Sequence, residues 1–83
     1  MRNLEDVRKD ITNIDIKMKD LFIERMNLIK EVKDIKKMSN LPIEDSTRES
    51  LMKENYTKEL NEFKEEYLEF LNKILEISKN SMR

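Results

Sequence analysis

Apolar residues recur at alternating steps of three and four from Leu4 to Ile35. Leu4, Val7, Ile11, Ile14, Met18, Leu21, Leu28, Val32 and Ile35 share one heptad seam, and Arg25 is the only charged residue on it. An unbroken pattern of this kind predicts a single helix from Leu4 to about Lys37, packed along its length against another helix. Such a rod is about 51 Å long at 1.5 Å per residue. A compact domain of this size has a radius of gyration of only about 12 Å, so one chain cannot cover it. A long exposed apolar seam is an aggregation hazard. The pattern therefore predicts a homodimer in which the long helices of two protomers pack together and each protomer covers part of the other. A second line at the e positions, Arg8, Asp15, Phe22, Ile29 and Lys36, widens the stripe in the middle and sets charge at both ends.

Ser39-Asn40-Leu41-Pro42 is the one turn-like cluster, and Pro42 pushes Leu41 out of helical geometry. Ser46-Thr47-Arg48-Glu49 fits a capping box and predicts a second helix from Ser46 to about Lys58, with Leu51 and Met52 as a weak stripe. A third helix is predicted from about Leu60 to Ser81. Its broad apolar face holds Leu60, Phe63, Tyr67, Phe70, Leu71, Ile74, Leu75 and Ile77, and Ser78 continues that face. No repeat, low-complexity segment or linker interrupts the chain, so residues 1–83 read as one all-α domain of three helices.

Composition removes most kinds of chemistry. Glycine, cysteine and histidine are absent and there is one proline. A glycine-rich phosphate loop, a disulfide scaffold, a zinc site, a Ser-His-Asp triad and a thiol nucleophile all lose their parts. No cofactor or metal is expected. Charged residues make up 42% of the chain, yet the net charge is only −1 because Lys and Glu interleave. That interleaving argues against a nucleic-acid face or a membrane-surface helix. No apolar run approaches the roughly 18 residues of a membrane span, and MRNLEDVRKD has no apolar core for a signal peptide. The expectation is a soluble cytoplasmic protein.

What remains is a set of fixed charges. A guanidinium in an apolar seam is costly unless an anion meets it, so Arg25 points to an anionic ligand. Lys36 lies eleven residues further on, nearly on the same side of the helix and about 16 Å along the axis. Two such side chains can hold a small dianion between them. Arg8 lies about 25 Å before Arg25 and reaches such a pocket only in the partner of an antiparallel dimer. Each residue also has a plain structural account. Arg25 can snorkel and fix register, and Lys36 can complement the helix dipole. Glu49 can belong to the capping box, Asp45 can simply precede a helix, and Ser78 can bond back to its own helix.

One family pattern joins these residues. Leu4-x-x-x-Arg8-x-x-Ile11-x-x-Ile14-Asp15, Leu21-x-x-Glu24-Arg25, Val32-x-x-x-Lys36 and Pro42-Ile43-x-Asp45-x-x-Arg48-Glu49 together resemble the all-helical class of chorismate mutases. The resemblance covers the first fifty residues without a gap. Ser78 looks like the family's serine, at the end of a stretch a few residues shorter than usual. The resemblance implies an intertwined dimer of three-helix protomers with two equivalent sites. Its members convert chorismate to prephenate on the route to phenylalanine and tyrosine. By that likeness, Arg25 and the partner's Arg8 bind the two carboxylates, and Lys36 contacts a carboxylate and the ether oxygen. Asp45 and Glu49 hold the ring hydroxyl, Arg48 lies beside the substrate, and Ser78 touches the ring carboxylate. Lys36, Arg25 and Glu49 would be the catalytic members of that set.

One position departs from the pattern. One turn after the serine the family has Gln or Glu, which joins the lysine at the ether oxygen; here that position is Met82. Methionine offers no donor, which leaves Lys36 alone on that oxygen. Two other readings stay open at this point: an isochorismate-pyruvate lyase or related chorismate-binding activity on the same fold, and a non-catalytic helical dimer that binds a partner protein.

Overall fold

The structure, a computed structural model, describes all residues from Met1 to Arg83. Three helices follow one another: α1 (Leu4–Met38), α2 (Ser46–Thr57) and α3 (Lys64–Met82). α1 starts where the Asn3 side chain accepts a hydrogen bond from the Asp6 amide at 2.8 Å. Glu5 and Asp6 in its first turn and Lys36 and Lys37 in its last complement the helix dipole. It stops at the turn read from the sequence. Asn40 takes a left-handed conformation (φ 55°), and the Leu41 amide returns to the Lys36 carbonyl at 2.8 Å.

α2 begins at Ser46 as expected, but its cap differs. Asp45, not Ser46, is the N-cap, and its carboxylate accepts from the Arg48 amide at 3.0 Å. The capping box is thereby corrected, and Glu49 is left free for another partner. α3 starts at Lys64, four residues later than the apolar spacing predicts. The Leu60 amide closes a turn on the Thr57 carbonyl at 3.0 Å, and Phe63 precedes the helix at φ 62°. Left-handed geometry costs a residue with a side chain about 1–2 kcal/mol, and no glycine or proline marks the break.

α3 is the element the others share: it packs against α1 on one side and α2 on the other. Met52, Leu71 and Leu75 form the buried core with Tyr67 packed against it, and Thr57 and Ser78 are buried beside them. Phe63 and Phe70, expected on the buried face of α3, are exposed.

The seam of α1 divides. Arg25, Ile29, Val32 and Lys36 are half-buried, whereas Leu21 (63%), Leu28 (55%) and Ile35 (59%) remain exposed. The a and e positions of the C-terminal half therefore meet α3, and the d positions face away. Correspondingly, Val7, Ile14, Leu21, Leu28 and Ile35 form an uncovered apolar line along the whole helix. Ile16 and Ile23, also exposed, lie on a different side. No residue of α1 is buried, and the chain measures 56 × 26 × 16 Å with a radius of gyration of 16.2 Å. That is well beyond the roughly 12 Å of a compact domain of this length. No helix is long and apolar enough to cross a membrane.

Candidate active site

A cleft of about 160 Å³ opens where all three helices approach one another. α1 contributes Arg25, Ile29, Val32 and Lys36, and the connection to α2 contributes Ile43 and Asp45. α2 adds Arg48, Glu49 and Met52, and α3 adds Leu75, Ser78, Lys79 and Met82. The i, i+4 and i, i+7 spacings of these residues set them on one face of each helix. Six candidates from the sequence, Arg25, Lys36, Asp45, Arg48, Glu49 and Ser78, thus meet in one place. Arg8 does not join them. It lines a separate depression near the start of α1 with Leu4, Glu5, Lys9, Thr12 and Asn13.

Each polar wall has a defined partner. An Arg25 Nη donates to Ser78 Oγ, and Ser78 in turn donates to the Ile74 carbonyl at 2.8 Å. Ser78 thus bonds back to its own helix while its hydroxyl also faces the arginine. Lys36 Nζ donates to the Ile43 carbonyl at 2.8 Å, which draws the ammonium over the cleft toward the α1–α2 loop. Arg48 lies against the Met52 sulfur. Asp45 is occupied in capping α2.

Glu49 pairs with Lys79 Nζ at 3.1 Å, with side-chain exposures of 19% and 25%. Lys79 reaches Glu44 as well at 3.6 Å, and Arg83 meets Glu44 at 3.5 Å. The hydrogen bond to Glu49 raises the Lys79 pKa above the ordinary lysine value. Desolvation opposes the shift, and the charges of Glu49 and Glu44 add to it. A raised lysine contributes its stabilisation below its unfolded pKa and loses it only as pH climbs past the folded one. The ammonium is therefore held through neutral pH and is given up only in strongly alkaline solution.

Lys79 escaped the sequence reading because it resembles a solvated charge in a last turn. The available signal was its spacing: Leu75, four residues before it, is buried, and Met82, three after it, lines the cleft. Met82 lies one turn beyond Ser78 and lines the same cleft.

Four cations face two carboxylates across this cleft, a formal excess of two positive charges, although the whole 83-residue chain carries −1. The Ser78 hydroxyl is committed to Arg25 and Ile74, so it has no base to activate it. The arrangement suits holding a small dianion and stabilising negative charge within it.

The sequence profile of chorismate mutase type II matches residues 7–83. No curated protein and no solved structure matches the chain. The match spans α1 from Val7 onward, all of α2 and all of α3, so the chain belongs to the type II chorismate mutases, isomerases that convert chorismate to prephenate.

Proposed function

We propose that two copies of this chain form the working enzyme, and that each cleft is completed by Arg8 of the other copy. The convergence of Arg25, Lys36, Asp45, Arg48, Glu49 and Ser78 on one small cleft carries the reading. The uncovered d line of α1 supports the dimer: an apolar strip of that length is covered economically by its own two-fold copy. Arg8 is about 25 Å from Arg25 along the same rod, so it serves an antiparallel partner and not its own cleft.

In this arrangement Arg25 and the partner-supplied Arg8 bind the two carboxylates of chorismate. Lys36 contacts a carboxylate and the ether oxygen, Asp45 and Glu49 hold the ring hydroxyl, Arg48 flanks the ring, and Ser78 touches the ring carboxylate. The rearrangement is unimolecular and pericyclic, so no nucleophile or proton shuttle is called for. The site holds a flexible dianion in its chair-like form and stabilises the charge growing on the breaking ether oxygen. An acceleration of about 10⁶ requires roughly 8 kcal/mol, within reach of a few charge-assisted hydrogen bonds at about 3 kcal/mol per donor.

Incubation with chorismate is the direct test: chorismate should disappear and prephenate accumulate in equal amount. A protein that neither consumes chorismate nor gains thermal stability from it would contradict the reading. The native mass should be near twice 10.1 kDa by sedimentation. Met82→Gln restores a donor beside Lys36 and should raise kcat by at least about tenfold, since one such donor is worth about 10²–10³. An unchanged kcat would show that position 82 does not reach the ether oxygen.

A further inference from the structure

Of the four cations in the cleft, three are bound to neutral groups: Arg25 to a hydroxyl, Lys36 to a carbonyl, Arg48 to a thioether sulfur. Only Lys79 is paired with a carboxylate there, and it is paired with Glu49. The two carboxylates are thus compensated locally in different ways. Asp45 sits at the N-terminus of α2, where the helix dipole favours negative charge. Glu49 lies one turn further into the helix, is mostly enclosed, and depends on Lys79. An enclosed carboxylate without a partner repels a doubly negative ligand placed beside it. With both carboxylates compensated, Arg25, Lys36 and Arg48 are left to meet the ligand's charge.

We propose that Lys79 is a positioning residue for the reaction: it fixes the Glu49 carboxylate against the wall formed by α2 and α3 and cancels its charge, so that a dianion binds next to it. The inference rests on the chorismate mutase reading of the cleft. Glu44, on the rim and 62% exposed, shares Lys79 with Glu49 but adds little, because exposed ion pairs are weak.

The test is steady-state kinetics on chorismate with Lys79→Met, Lys79→Arg, Glu49→Gln, Glu44→Gln and the double variant Lys79→Met/Glu49→Gln. Lys79→Met should raise KM about tenfold with kcat nearly unchanged, the mark of lost ground-state and transition-state binding in equal measure. Lys79→Arg should restore KM to within about threefold, because its guanidinium can pair with the same carboxylate. The double variant should match Glu49→Gln alone, since the two residues act as one unit. Glu44→Gln should leave KM within about twofold. A wild-type KM in Lys79→Met, effects that multiply in the double variant, or an Arg variant no better than the Met variant would each overturn the inference. A kcat falling as far as KM rises would overturn it too, since Lys79 would then act on the reacting atoms or the fold. Loss of turnover in the unaltered protein would remove the underlying reading, whereas turnover with an unmoved KM removes only the role of Lys79.

Discussion

Arg25→Ala is expected to lower kcat/KM for chorismate by about 10³ or more while the protein stays folded. A planar guanidinium grips a carboxylate through two parallel hydrogen bonds, and one such electrostatic donor in a dry site is worth about 10²–10³ in rate. Folding does not need the side chain. Arg25 takes part in no ion pair, and Ser78 keeps its bond to the Ile74 carbonyl when the arginine is gone. Nothing buried is left without a partner, and removing a half-buried charge from an apolar seam is neutral or stabilising. Circular dichroism melting and sedimentation alongside the kinetics check this. If helicity and assembly fall together with activity, Arg25 is a structural residue.

Leu21→Glu should have the larger effect on the protein as a whole. Within one protomer Leu21 is 63% exposed, and a polar substitution at such a surface position changes stability by no more than about 0.5 kcal/mol. In the proposed dimer the same residue lies mid-way along the shared α1 line, where a carboxylate is buried without a partner. A cost of about 4 kcal/mol or more then follows. The expected result is loss of dimer, loss of helicity and no turnover. A folded, active monomer would show that the exposed line of α1 is simply a surface.

How much of this was legible in the sequence varies along the chain. α1 was legible within one residue because its heptad spacing is unbroken and its end is marked by Ser39-Asn40-Leu41-Pro42. The start of α3 was not, because Leu60 and Phe63 keep helical spacing across a break that carries no turn residue. The cap of α2 was misread for a related reason: Asp45 and Ser46 are both good caps, and only the backbone decides between them. Periodicity gave a single seam on α1, yet it could not say that a and e positions meet α3 while d positions stay open. Within the cleft, Arg25 and Lys36 stood out from their places on the α1 pattern, whereas Asp45, Arg48, Glu49 and Ser78 were picked out through the family resemblance. Lys79 was missed because its role depends on Glu49, thirty residues away in sequence and 3.1 Å away in space.

The joint construction of each cleft by two protomers is tested most directly by subunit mixing. Arg8→Ala and Arg25→Ala variants, each inactive alone, are unfolded together and refolded. If Arg8 serves the partner's cleft, every mixed dimer holds one intact site and one site lacking both arginines. Random pairing should then restore about one quarter of wild-type activity per protomer. A mixture as inactive as its parents would contradict the account, because it would mean that both arginines act within one chain or that the copies never share a site.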